Sequence, residues 1–386
     1  MANVFSYVKK YGGKSFKDMP FNDADNVAMC CSFYMPLDQV VSESFDDEPV
    51  PFDKAFDKLF ELRGRKHTPV GLVLVKEISM LMGEMAGQKR YAEMKVAACT
   101  DNFGKEPAVQ FNAGTFLLPS GEIVVLFRGT DDTLMGWKED VDILVEDDIP
   151  SHHLALEYME NVAKTFEGDI IVCGHSKGGY IAQYSVLNSP KEIRDRVKLL
   201  YNNDGPGFSD YDYINSEAYQ ELLPRYRHII PQSSFIGMML SHDDDYEVVK
   251  SSRVFGALQH DLLTWQIDEE KLRMCNDITN AGKVTDLVFH DLVSNLTPKQ
   301  SEAFGSVIGS IFDGINQKGL LDVKNNFAAS IKGGAAAWKN LSPETKKVFR
   351  DTMKDARKYV ISAAKTVQKG EYKTASQRLS DETETD

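Results

Sequence analysis

Gly174-His175-Ser176-Lys177-Gly178 sets a serine between two glycines, directly after the apolar run Ile170-Ile171-Val172-Cys173. The chemistry open to that spacing is nucleophilic attack by a hydroxyl. In a G-x-S-x-G turn the chain passes sharply from strand to helix and lifts the serine oxygen clear of a sheet edge. The small residues let the two elements approach without a Cβ clash, and Gly179 adds further room. The plainer alternative for Ser176 is a helix cap. A nucleophile also needs donors for the oxyanion it creates. The backbone N–H of Lys177, at the positive end of the following helix, is the expected first donor. A second belongs on a loop after an earlier strand. The segment Phe127-Arg128-Gly129-Thr130-Asp131 offers one, with Thr130 the expected donor, although Thr130 and Asp131 also suit a simple turn.

The histidine follows by elimination, because serine sites of this kind run in the chain order nucleophile, acid, histidine. His67, His152, His153 and His175 do not follow the serine and drop out, and His228 sits inside a strand pattern where it packs. His260, in Leu258-Gln259-His260-Asp261, follows the last sheet pattern at 251–255, where a loop can return over the serine. It is the first choice for the general base, with His242 second. For the acid, Asp204 ends the run Lys198-Leu199-Leu200-Tyr201-Asn202-Asn203 at the edge where ligands collect in open α/β sheets. Asp243, Asp244 and Asp245 compete with it, and Asp204 before Gly205-Pro206 equally suits a turn. The mechanism these residues would serve is acyl transfer through an acyl-enzyme, with no metal or organic cofactor required.

Stepwise patterns along the chain suggest how such residues are positioned. Residues 108–118 alternate, 119–121 turn, and 122–127 form a β-branched run, which predicts a hairpin. An amphipathic helix over 152–166 leads to a buried strand at 169–173, a helix at 178–187 and a strand at 196–201. A helix at 214–223 and a strand at 226–230 repeat the order. Alternating strands and helices predict a mainly parallel sheet with helices on both faces, an α/β fold. Residues 1–100 read as a mostly helical lead-in or cap, 101–295 as the α/β core, 296–374 as a helical C-terminal region and 375–386 as a disordered tail. Either 210–223 or the region before 100 could cover the site.

The chain has 386 residues, 42% hydrophobic and 26% charged, the proportions of a globular protein. Its formal charge of -14 argues against sequence-independent binding of nucleic acid. No basic, apolar leader stands at the N-terminus and no apolar run approaches a bilayer span, so a cytoplasmic location is expected. The five cysteines show neither a paired framework nor metal-ligand spacing. Lysines such as Lys339, Lys346 and Lys354 interleave with apolar residues in 296–374. That pattern allows peripheral membrane or protein contact, though a solvated helix face accounts for it as simply.

Phe127-Arg128-Gly129-Thr130, Gly174-His175-Ser176-Lys177-Gly178-Gly179 and a downstream histidine together resemble the class 3 lipases. An uncharacterised bacterial family of lipase-like hydrolases is a closer resemblance. It extends to Pro20-Phe21-Asn22-Asp23, Gly136-Trp137-Lys138-Glu139-Asp140, Asn203-Asp204-Gly205-Pro206-Gly207-Phe208, Pro231-Gln232-Ser233 and Gln259-His260-Asp261, within roughly the first 270 residues. The resemblance implies an α/β-hydrolase fold, acyl-ester hydrolysis, and roles for Thr130, Ser176 and His260. Two departures stand out. Class 3 lipases usually carry an uncharged residue at the place of Lys177, and their acid follows the strand that ends here at Ile230. Ser233 and Ser234 occupy that place, so the acid moves to Asp204 or to Asp243–Asp245. A non-catalytic binding module on the same scaffold is the alternative.

Overall fold

Ile123–Phe127 and Ile170–His175 are buried at every position, as befits strands covered on both faces. They are neighbours at the centre of a nine-stranded sheet in a computed structural model. The structure describes residues 2–63, 77–105, 108–130, 143, 148–208, 211–239, 246–254, 256–295, 338–374, 377–378 and a few single positions between 297 and 335. The strands are β1 (Val50–Pro51), β2 (Lys95–Lys105), β3 (Ala108–Leu117), β4 (Ile123–Phe127), β5 (Ile170–His175), β6 (Val197–Asn203), β7 (Tyr226–Pro231), β8 (Tyr246–Val249), β9 (Ile267–Asp268), β10 (Lys271–Leu272) and β11 (Met274–Cys275). The helices are α1 (Val4–Tyr11), α2 (Asp23–Ser32), α3 (Phe52–Arg63), α4 (Ile78–Ala86), α5 (Lys89–Ala92), α6 (Pro150–Thr165), α7 (Lys177–Asn188), α8 (Lys191–Arg196), α9 (Glu217–Leu222), α10 (Gly256–Gln259), α11 (Asn280–Asn295) and α12 (Pro343–Lys369).

The sheet order is β1-β2-β3-β4-β5-β6-β7-β8-β11, with β9 and β10 forming a separate hairpin. From β4 to β8 every neighbour is parallel, whereas β1 to β4 and the β8–β11 pair are antiparallel. The sheet is therefore mixed, parallel in its centre and antiparallel at both edges. The anticipated hairpin is β3–β4, with Gly114 opposite Leu126. Sheet structure also reaches back past residue 100, because β2 runs through that point and β1 pairs with it. The described residues 251–254 of the sheet pattern expected at 251–255 form no strand: Ser251 makes one isolated bridge to Trp265, and the sheet strand is β8 just before it.

Side chains alternate between two cores, as a period of two requires. Val124, Leu126, Ile171 and Cys173 face a cluster with Val27, Cys31, Leu59 and Met82 from the N-terminal helices. Ile123, Val125, Phe127, Ile170 and Val172 face the opposite cluster with Met159 of α6, Ile181 of α7 and Leu222 of α9. The N-terminal helices thus form one of the two layers covering the sheet. Their capping is explicit in α2, where Asn22 accepts from Ala24 and Asp25 while Asp25 accepts from the Asn22 backbone. Behind that cap, buried Asp25 is paired with buried Arg90 at 2.5 Å. At the other end of the chain, α11 and α12 are joined through Asp286, which accepts from Tyr372 and Arg378 just beyond α12. Among the described residues no helix is long and apolar enough to cross a membrane.

Candidate functional site

Ser176 stands between β5 and α7 with φ 59° and ψ -131°. A non-glycine residue there costs on the order of 1–3 kcal/mol, so the surroundings must enforce it. Its N–H donates to Asn203 O at 3.0 Å, and its carbonyl accepts from Gly179 N at 2.8 Å. The flanking glycines make the turn sterically possible. A Cβ on Gly174 would lie 2.0 Å from Gly178 O, and one on Gly178 would lie 2.1 Å from Phe127 O. Ser176 is half-buried, and its side chain makes no capping bond to α7, so the hydroxyl does not serve as the helix cap.

The loops after β4 and β6 close on this turn. A Cβ on Gly129 would approach the Ser176 Cβ to 3.0 Å, which places Thr130 one residue beyond a segment packed on the serine. Lys177 is the first residue of α7, and its buried side chain runs away from the turn to donate from Nζ to Gln110 O at 2.6 Å. Asp204 directly follows β6, also at positive φ (51°). It is fully buried and accepts through Oδ1 from Ser234 Oγ at 2.5 Å and Gly237 N at 3.1 Å. Its Oδ2 lies 2.7 Å from His260 Nδ1.

Asp204 and His260, the first choices for acid and histidine, are therefore hydrogen-bonded across 56 residues of sequence. A carboxylate only accepts, so His260 Nδ1 donates, and in the neutral ring Nε2 is the nitrogen left to accept. Among the described residues neither His260 Nε2 nor Ser176 Oγ has a hydrogen-bond partner. The contact between the two loops runs instead through His175, whose Nε2 donates to the His260 carbonyl at 2.9 Å. His228 is buried in β7 near Gly205 O, as its strand position suggested. His242 and Asp243–Asp245 lie outside the described residues.

Three contributors escaped the reading of the sequence. Ser234 and Gly237 hold the Asp204 carboxylate; Ser233 and Ser234 stood out only as the absence of an acid after β7. Tyr34 reaches His175 Nδ1 at 2.8 Å from 141 residues away, with no local pattern to announce it. Below Ser176, the amides of Asn26 and Asn203 bond reciprocally at 2.8 and 3.0 Å, and Asn203 also donates to Gly174 O. Helix α2 is in this way tied to the base of the turn.

A strained serine turn at the C-terminal edge of parallel strands, beside a histidine–aspartate pair, is carried here by an α/β protein with a mixed central sheet flanked by helices. Residues 85–313, more than half of the chain, match the model of the Mbeg1-like family, and the chain belongs to that lipase-like family. Comparison with curated proteins and with solved structures gave no match.

Proposed function

We infer that the chain is a serine hydrolase on an α/β-hydrolase scaffold related to the class 3 lipases, cleaving acyl esters through Ser176, His260 and Asp204. The observation that carries this reading is the His260–Asp204 bond at the same sheet edge as the strained Ser176 turn. His260 Nε2 takes the Ser176 hydroxyl proton as Oγ bonds to the acyl carbon. The oxyanion is received by the N–H groups of Lys177 and Thr130. Collapse expels the alcohol, which takes its proton from His260. Water then repeats the cycle on the acyl-enzyme and frees the acid.

Fluorophosphonate labelling and a panel of esters of graded acyl length test the reading. Ser176→Ala is expected to abolish labelling and to lower turnover roughly a million-fold. Asp204→Asn, which presents the wrong partner to the His260 tautomer, is expected to cost roughly ten-thousand-fold with the fold intact. Ester turnover that survives Ser176→Ala places the nucleophile elsewhere, and a folded wild-type chain that takes no label removes the hydrolase reading. Peripheral membrane or protein contact through 296–374 is a separate proposal, supported by exposed Met353, Val360 and Ile361 on α12 and tested by vesicle co-sedimentation.

A further inference from the structure

His175 is a side chain of the serine turn for which the proposed acyl transfer has no task, yet it is buried and engaged through both ring nitrogens. Its Nδ1 lies 2.8 Å from the Tyr34 hydroxyl and its Nε2 2.9 Å from the His260 carbonyl. The carbonyl can only accept, so Nε2 carries the proton. Burial, and secondarily the neighbouring His260, hold the His175 pKa well below the usual imidazole value. The ring is neutral, and Nδ1 accepts the Tyr34 hydroxyl proton. His175 thus carries its proton on Nε2 while His260 donates from Nδ1, and the two ring centroids lie 4.5 Å apart.

The loop bearing His260 needs such an anchor because it has little regular structure of its own. Gln259 is held on one side, accepting from Ser233 N and Trp265 Nε1 and donating to Arg253 O. Asp261 is held on the other, accepting from Leu263 N. Between them, the backbone of His260 is met by His175. We propose that His175, oriented by Tyr34, is a positioning residue that sets the place of the His260 imidazole relative to Ser176. The role rests on the acyl-transfer reading, and it makes the helical segment before residue 85 a part of the site.

Imidazole nitrogen–proton correlation spectra read both tautomers without any turnover. The wild-type chain is expected to show His175 protonated on Nε2 and His260 on Nδ1. His175→Phe keeps a ring but loses both bonds. It is expected to move the His260 signals, and to slow both kcat and fluorophosphonate labelling about 10- to 100-fold with KM little changed, as a small misplacement of a catalytic group does. His175→Gln, which retains one donor and one acceptor, is expected to recover part of the loss. Tyr34→Phe, a milder change if the ring substitution fails to fold, is expected to slow labelling roughly 3- to 10-fold, the worth of one hydrogen bond. Wild-type labelling in His175→Phe with unmoved His260 signals overturns the proposal, as does His175 protonated on Nδ1. If the wild-type chain takes no label, the hydrolase reading fails by itself. The spectra still decide the positioning, since His260 signals that move in His175→Phe uphold it and signals that stay overturn it.

Discussion

Asp204 and Asp261 flank the same histidine, one in space and one in sequence, and they are held by different numbers of donors. Asp204 is met by three donors, Ser234 Oγ, Gly237 N and His260 Nδ1. Asp261 is nearly as buried but receives one backbone donor, Leu263 N, and burial lifts its carboxyl from 3.8 to about 6. A raised acid favours the protonated fold, so this stability is present below 3.8 and is lost as pH rises through about 6. Asn at 261 keeps the acceptor for Leu263 N without the charge. Asp261→Asn is therefore expected to match wild type near pH 4 and to exceed it at pH 7, by at most about 3 kcal/mol at roughly 1.4 kcal/mol per pH unit. Urea unfolding across that range checks it, and a gap that does not change with pH contradicts it. Ser176 was legible because its constraint is local: two glycines, a preceding apolar run and a following helix. Its relation to His260 and Asp204 could only be ordered by chain direction.

At the scale of elements, β4, β5, β6 and β7 were legible from short apolar runs bounded by turn residues, and α6 and α7 from helical spacing. Strands β1 and β2 were not. β1 is only Val50-Pro51, and in β2 a buried run, Val96, Ala97, Ala98 and Cys99, gives way to Thr100, Asp101 and Asn102, polar and exposed or partly exposed, so no apolar alternation marks either. β2 becomes a strand through pairing with β3, and β1 through pairing with β2. The N-terminal helices are held in place by a polar device that no periodicity reveals. Arg90 of α5 reaches Asp25 of α2 and the carbonyls of Ser15, Met19 and Pro20, while Tyr7 and Tyr91 donate to the same carboxylate. Removing the cation leaves a buried charge without compensation. Arg90→Met is expected to destabilise the fold by about 3 to 5 kcal/mol. A denaturation midpoint close to wild type would show that Asp25 is carried by the tyrosines alone.

For the whole molecule, the consequential feature is that residues before 85, outside the matched family segment, supply much of the layer that covers one face of the sheet. They bury Val124, Leu126, Ile171, Cys173 and Tyr201 and supply Tyr34 and Asn26 to the serine turn. Deleting 1–84 is expected to yield a chain without cooperative unfolding and with strong dye binding to the bared face; a soluble, cooperatively unfolding 85–386 would show that the core stands without this layer. The residues alone determined an acidic α/β chain with a strand–serine–helix turn, because strand burial, helix spacing and the glycine requirement are all written within a few positions of one another. Tertiary structure alone decided that Asp204 meets His260, that Ser234 steadies the acid, and that the N-terminal helices belong to the site. Those relations depend on which strands become neighbours and on which polar groups are buried together, and burial at a distance leaves no periodic mark in a sequence.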